Sequence, residues 1–458
     1  MTIALLMAVL ACERLTTLSL PNVTITAAQP VAAGAVPDSP NLPAFCRVAA
    51  TLKPSSDSDI KMELWMPAEN WNGKFQEVGN GAFNGSIPQP AMATALRRGY
   101  ATASTDTGHT GNTASFGLGH PEKVIDFGWR AIHETAVTAK AIIASFYATA
   151  PKYSYFTGCS AGGRQGLKEA QRFPADFDGI VAGAPGLDWT GRASQAVRVA
   201  QVTTKNEAAR ITSHDAQLLH QAALATCDAR DGVSDGVIEN PGICAFDPIT
   251  VEGLPAAKIA TARMLYDALM PGSELGWTEL GWTASARATG RDQFRYLVFG
   301  DPAWDIDRFD YDRDAPRAEA ADKDTINAND PNVEPFIRRG GKLIQYHGWN
   351  DPQISPRDSV QYYERVVKVL GAAAINGSYR LFMAPGMAHC GGGEGPNSFD
   401  MIGALEQWVE HGTAPDRIVA SRLSEGRAER TRPLCPYPQV AEYKGSGSTN
   451  DATNFVCR

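Results

Sequence analysis

Along the first 190 residues, apolar and polar positions switch repeatedly between a period of two and a period near 3.6. Lys61-Met-Glu-Leu-Trp-Met66 alternates and predicts a strand. Lys74-Phe-Gln-Glu-Val78 predicts another, running into a glycine-rich turn. Gly99-Tyr-Ala-Thr-Ala-Ser104 and Tyr153-Ser-Tyr-Phe-Thr157 predict two more, and Ile180-Val-Ala-Gly-Ala-Pro185 reads as a buried strand. Between them, Ala131 to Phe146 has helical periodicity, and a helix starts near Ser160. Pro30 to Pro43, rich in Ala and Pro, reads as an irregular surface connection. From Trp189 to about Pro335 the pattern becomes polar helix and loop, without buried apolar strands. The sheet pattern returns at Lys342-Leu-Ile-Gln-Tyr346, with a helix over Ser359 to Leu370, a strand at Tyr379-Arg-Leu-Phe-Met383 and a helix over Ser398 to His411. Such alternation on both sides of an insertion predicts one α/β domain, residues 12–188 with 336–458, built on a mostly parallel sheet. Residues 189–335 are then an inserted lid.

Composition narrows the class. The chain is 43% hydrophobic and 20% charged, the balance of a globular protein, which excludes disorder and a coiled coil. The longest apolar run, Thr2 to Ala11, is shorter than the roughly 20 residues of a membrane span. Fifty acidic against 42 basic side chains give a net charge of −8 with no basic run, so nucleic acid is not an expected partner. There are eight cysteines, none in a C-x-x-C pair. An even set without metal-ligand spacing, behind an apolar N-terminal segment, reads as an exported, disulfide-bonded protein, secreted or periplasmic. Residues 1–11 have the h-region of a signal peptide without its positive n-region, and read as a signal remnant or a misassigned start.

Gly158-Cys-Ser160-Ala-Gly162 matches G-x-S-x-G. The bare pattern is weak; its context, a strand running into it and a helix beginning at it, is that of a nucleophile elbow. A glycine-rich turn with a helix-capping serine is the plainer reading. A nucleophilic serine needs a base, and the base an orienting acid. His347-Gly-Trp-Asn-Asp351 follows one late strand and Ala384-Pro-Gly-Met-Ala-His389-Cys-Gly-Gly-Gly393 follows the last. Asp351 and His389 therefore fall in the chain order of an α/β-hydrolase, serine, acid, then histidine. His347 precedes the acid and is read as a structural histidine near the triad. Cys159 precedes Ser160 and Cys390 follows His389; a bridge between them would hold nucleophile and base side by side. The oxyanion donors would be the N–H of Ala161 and one from Val78-Gly-Asn-Gly81-Ala-Phe-Asn-Gly85, with Gly81 the best single guess. That turn reads equally as an ordinary tight turn.

These residues, together with Arg172-Phe-Pro-Ala-Asp-Phe-Asp-Gly-Ile-Val-Ala-Gly-Ala-Pro185, resemble the tannase and feruloyl esterase family of serine hydrolases over nearly the whole chain. The resemblance implies Ser160 as nucleophile, Asp351 as acid, His389 as base and a Cys159–Cys390 bridge. It also implies Cys12–Cys46, Cys227–Cys244 and Cys435–Cys457.

Within the insertion, Cys227-Asp228-Ala-Arg-Asp231-Gly-Val233-Ser-Asp235-Gly-Val237 places three carboxylates in a glycine-punctuated loop, hard oxygen donors that suit Ca²⁺. An acidic solvated turn is the plainer reading. By the resemblance, Asp228, Asp231 and Asp235 would ligate calcium with the carbonyls of Val233 and Val237, in a structural role unconnected to the triad. Trp277, Trp282, Phe294 and Tyr296 are read as insertion core or as lining of an acyl pocket, and Arg291 or Arg295 as a partner for a substrate carboxylate. The expectation is a secreted serine carboxylic-ester hydrolase without organic cofactor. It would act on small esters of aromatic acids: feruloyl esters first, then galloyl or terephthalate monoesters. The alternatives are an inactive aromatic-ligand-binding relative and a peptidase on the same fold.

Overall fold

The structure, a computed structural model, describes residues 10–268 and 289–458. Nine strands form one sheet: β1 (Val23–Val31), β2 (Phe45–Leu52), β3 (Ile60–Pro67), β4 (Lys74–Val78), β5 (Ala101–Thr105), β6 (Tyr153–Cys159), β7 (Gly179–Gly183), β8 (Lys342–Gly348) and β9 (Tyr379–Ala384). Their order is β1-β2-β3-β5-β4-β6-β7-β8-β9. The six strands from β5 to β9 in that order are parallel. β1, β2 and β3 pair antiparallel and join β5 antiparallel.

Within the nine-stranded sheet, the departures from the expected strands, β1 and β2, lie at the antiparallel edge. Pro30 lies inside β1, paired with Cys46 of β2, so the irregular connection begins only after Val31. β1 is the outer strand, where a residue without an N–H is tolerated. β2 is buried on almost every residue and so shows no alternation from which to read it.

The described helices of nine residues or more are α1 (Gln89–Arg97), α2 (Ala131–Tyr147), α3 (Ala161–Arg172), α4 (Trp189–Lys205), α5 (Ser213–Cys227), α6 (Ala256–Ala268), α7 (Tyr311–Asp322), α8 (Pro356–Leu370) and α9 (Met401–His411), of which α1 to α3, α8 and α9 flank the sheet. Ala136 and Ala139 of α2 and Leu167 of α3 pack with Phe75, Phe156 and Ile180 from the strands. Leu405 and Trp408 of α9 pack with Tyr155, Val181 and Ile344 in a separate cluster. Helices thus cover both sheet faces, as a parallel sheet requires. This is the α/β-hydrolase architecture.

Between β7 and β8 no strand occurs among the described residues; α4 to α7 lie there around their own apolar cluster of Val197, Leu219, Leu265, Phe294 and Trp304. Phe294 is fully buried against Trp304 and Phe309. It is insertion core. Trp277 and Trp282 lie outside the described residues. A hairpin of β10 (Ile418–Ser424) and β11 (Arg427–Leu434) and a short pair of β12 (Ala441–Tyr443) and β13 (Phe455–Cys457) complete the chain. Four disulfides join Cys12–Cys46, Cys159–Cys390, Cys227–Cys244 and Cys435–Cys457, with Cα separations of 5.5 to 6.0 Å. No described helix is long and apolar enough to cross a membrane.

Candidate active site

Ser160 stands between β6 and α3 with φ +64°, a backbone conformation that non-glycine residues rarely hold. The surroundings over-determine it. Its N–H donates to Gly183 O at 2.9 Å, and its carbonyl accepts from Arg164 N at 3.0 Å and Gly186 N at 3.2 Å. The glycines let the turn close: a Cβ at Gly158 would fall 2.5 Å from the Gly162 carbonyl carbon, and one at Gly163 only 2.2 Å from Gly183 O. Ser160 is half-buried at the carboxyl edge of the parallel strands.

β8 and β9 end beside it, and their following loops bind each other. Trp349 N donates to Ala384 O at 2.9 Å and Asn350 N to Met387 O at 3.0 Å. Gly348 permits this approach, since a Cβ there would meet Met387 O at 2.1 Å. The result brings His389 Nδ1 to 2.7 Å from Asp351 Oδ2. His347 Nε2 lies 3.0 Å from the same oxygen and 3.2 Å from Ile354 O, while its Nδ1 is 2.7 Å from Ser359 Oγ. Nε2 of His347 therefore faces two acceptors and carries its proton, and Nδ1 accepts from the Ser359 hydroxyl. Asp351 Oδ1 accepts from the N–H groups of Gln353 at 2.8 Å and Ile354 at 3.0 Å.

Burial alone would raise the Asp351 carboxyl. The field of His389 and the hydrogen bonds from both imidazoles outweigh it and hold the group well below the usual carboxylate range. The Asp351 carboxyl is thus charged, and His389 donates to it through Nδ1. The bridge from Cys159 to Cys390, with Cα atoms 6.0 Å apart, ties the residue before Ser160 to the residue after His389. Cys390 to Gly393 all have positive φ, so His389 sits at the head of a tightly curled loop.

The Gly79–Gly81 turn abuts the first turn of α3. A Cβ on Gly162 would lie 3.0 Å from Asn80 O. Asn80 N–H is taken by Gln165 Oε1 at 3.0 Å, whereas a Cβ at Gly81 would meet nothing within 4 Å. Ala161 packs with Phe83, Phe127 and Trp189, with Tyr296 against the same cluster. The Phe83 ring lies 5.0 Å from Trp189 and 5.2 Å from Phe127. Apart from Tyr296 these aromatics carry no spacing signal in the sequence; Phe83 stands only two residues beyond Gly81. Arg192 of α4 was equally unreadable: it is contributed by the insertion and donates to Gln353 O at 3.0 Å, over the turn that follows Asp351. Arg291 lies 3.4 Å from Asp292, and Arg295 donates to Trp304 O, so both candidate anion partners are engaged within the insertion.

In the acidic loop, Asp228 accepts from Ser234 Oγ at 3.1 Å, Asp235 N at 3.2 Å and Gly236 N at 3.0 Å. Asp231 accepts from Val233 N at 3.2 Å and Glu239 N at 2.9 Å. Burial first, then the nearby Asp235 and Asp228, push Asp231 up to about 6. Asp235 Oδ2 pairs with Arg432, and its Oδ1 is buried without a partner. An orphaned carboxylate oxygen among hard oxygen donors fits a Ca²⁺ ion. As they stand, Asp228 and Asp231 bind their own loop's N–H groups and Asp235 binds Arg432, and the three carboxylates do not converge on one point. The loop and the adjoining α5 also reach the segment that carries His389. Val237 lies over Gly386, three residues before His389, and His220 of α5 is 3.0 Å from Glu394, five residues after it. Arg430 and Arg432 reach Asp235 from β11, 195 and 197 residues away, a distance at which no local pattern points to a contact.

The family model described as tannase and feruloyl esterase matches residues 46–269 and 274–458. An uncharacterized esterase of Xanthomonas campestris pv. campestris is 37% identical, the match covering 98% of this chain and 91% of that protein. The mono(2-hydroxyethyl) terephthalate hydrolase of Piscinibacter sakaiensis is 35% identical over 93% of this chain and 87% of its own length. The crystal structure of feruloyl esterase B from Aspergillus oryzae superposes with a TM-score of 0.91 at 32% identity, covering 98% of this chain and all of that one. With its elbow, its late-strand acid and base and a match over almost its full length, the chain belongs to the tannase and feruloyl esterase family.

Proposed function

We propose that this carboxylic ester hydrolase cleaves small esters of aromatic acids, hydroxycinnamoyl esters first and galloyl or terephthalate monoesters next, through an acyl-enzyme on Ser160. His389 Nε2 takes the Ser160 proton as Oγ attacks the ester carbonyl, and Asp351 holds the imidazole and stabilises its charged form. The N–H groups of Ala161 and Gly81 hold the oxyanion. Collapse of the tetrahedral adduct passes the proton to the leaving alkoxide and releases the alcohol. Water, deprotonated by the same imidazole, then frees the acid and restores Ser160. The observation that carries this reading is the hydrogen bond from His389 to the charged, buried Asp351, on a loop disulfide-linked to the residue before Ser160. The aromatic cluster beside Ala161 supports a flat acyl group.

In this reading Asp228, Asp231 and Asp235, with the carbonyls of Val233 and Val237, hold a Ca²⁺ ion. Bound there, it supplies charge balance to a loop closed by Cys227–Cys244 and braced against the base loop. The four disulfides support export to an oxidising compartment.

The test is hydrolysis of methyl ferulate, methyl gallate and mono(2-hydroxyethyl) terephthalate, with Ser160→Ala as blank. Turnover of at least one is expected, falling roughly 10⁴-fold or more in the variant. Turnover that survives Ser160→Ala overturns the mechanism. Cleavage of aryl amides but none of the three esters overturns the substrate class.

A further inference from the structure

Beneath the elbow, on the sheet face covered by α2 and α3, lies a second group of ionisable side chains that the proposed reaction does not use. We propose that His133, Glu169 and Asp176, backed by Glu77, form a binding site for a divalent transition-metal ion of the Zn²⁺ or Mn²⁺ class. His133 comes from α2, Glu169 from α3, Asp176 from the turn between α3 and β7, and Glu77 from β4.

One donor atom from each of His133, Glu169 and Asp176 lies within 4.8 Å of the others, the one such three-residue group among the described residues. Nitrogen and oxygen ligands around a tetrahedral Zn²⁺ ion lie roughly 3.3–3.6 Å apart, so side-chain rotations of about an ångström would be needed to close the shell. Asp176 Oδ2 now bonds His133 Nδ1 at 2.6 Å, and the imidazole is fixed by stacking on Phe173 at 3.8 Å. The His133 side chain is 26% exposed, which gives the site a mouth.

Two unpartnered groups point to a ligand. Glu169 is 1% exposed and neither of its carboxylate oxygens has a hydrogen-bond partner. Glu77 is wholly buried, likewise with both oxygens unpartnered, and it lies within the field of Asp176 and Glu169. Buried polar atoms are rarely left without a partner, and buried carboxylates least of all. Charge makes the same point. The cation facing the group is Lys140, which donates to Asp176 O and stands 4.0 Å from Asp176 Oδ1. With all three carboxyls ionised, one ammonium would leave two charges unmatched, which a divalent ion would balance. An imidazole ligand among carboxylates selects borderline metals over Ca²⁺, which takes oxygen alone.

Such an ion would tie α2 to β4 and α3, the two elements that lead into the Gly79–Gly81 turn and out of Ser160. The test uses the whole chain, stripped with a chelator and then held in excess Ca²⁺ to saturate the acidic loop. Bound metal is counted after gel filtration from Zn²⁺ or Mn²⁺, the melting midpoint is followed, and Co²⁺ absorption reports the ligand field. One equivalent of Zn²⁺ or Mn²⁺, a raised midpoint and a Co²⁺ d–d band are expected. Glu169→Gln should abolish the band and weaken binding roughly tenfold or more. His133→Phe, at the mouth, should do the same without altering the buried carboxyls. Glu425→Gln, on the exposed turn between β10 and β11, should leave all three readouts intact. No uptake by the wild type, or uptake undiminished in Glu169→Gln and His133→Phe, overturns the site.

Discussion

Two carboxylate sites flank the β6–α3 unit, equally buried and oppositely furnished. Asp351, with no exposed surface, receives two backbone N–H groups and two imidazoles, and is held charged. Glu77 and Glu169, as deeply buried, have no donor on either oxygen, and burial with the nearby Asp176 carboxylate pushes both well above the usual range. Burial therefore does not set the charge of an internal carboxyl; the donors already in place do. In the proposed mechanism, the acid that orients the imidazole needs its charge fixed before substrate arrives. The lower group has no such donors, and a proton or a cation must supply what they do not.

The comparison breaks most sharply at Asp351. Asp351→Asn keeps an acceptor for the N–H groups of Gln353 and Ile354 but presents an amide N–H to His389. The imidazole then turns its proton toward Ser160, and kcat on the preferred ester should fall about 10⁴-fold with KM little changed. Steady-state kinetics decide it; a loss under tenfold would remove Asp351 from the triad. Stability carries the matching signature. The folded carboxyl lies below its ordinary 3.8, so its contribution is present above that pH and lost as pH falls through the folded value. Urea midpoints of wild type and Asp351→Asn should differ at pH 6 and converge as the pH drops below about 3.8.

The charged end of this comparison was legible in the sequence; the uncharged end was not. Ser160, Asp351 and His389 announce themselves because each follows a strand whose apolar pattern is readable, and parallel strands bring their carboxyl ends to one edge. Cys159 and Cys390 added a distance constraint to that order. Glu77 sits at an ordinary alternating position of β4, and Glu169 on a helix whose sequence is mostly polar, so nothing local marks either as buried. Arg192 and Arg432 were hidden for another reason. Their contacts span 161 and 197 residues, and only the folded insertion and hairpin bring them in.

A smaller effect is expected from the covalent tie. Cys159→Ala with Cys390→Ala opens a loop of 231 residues and should cost about 2–5 kcal/mol of stability, read by denaturant titration. It should also lower kcat more than it raises KM, because Cys390 to Gly393 hold the base through left-handed backbone that the bridge helps to fix. A stability loss with unchanged kcat would show that the hydrogen bond from His389 to Asp351 positions the base unaided.

The smallest effect sharpens the comparison furthest. His347 supplies one of the four hydrogen bonds at Asp351, and the Ser359 hydroxyl fixes which of its nitrogens carries the proton. Ser359→Ala removes that hydroxyl and leaves Nδ1 as a buried acceptor without a partner, at a cost of about 1–3 kcal/mol. The freed imidazole can then place its proton on either nitrogen, and in one tautomer it turns a lone pair toward the carboxylate. The Asp351 carboxyl should rise, moving the acid limb of the stability profile to higher pH, while kcat at neutral pH falls less than tenfold. The corresponding urea series on Ser359→Ala decides it. An acid limb that does not move would mean that the two backbone N–H groups and His389 suffice to hold the charge, with His347 serving only to fill the space beneath it.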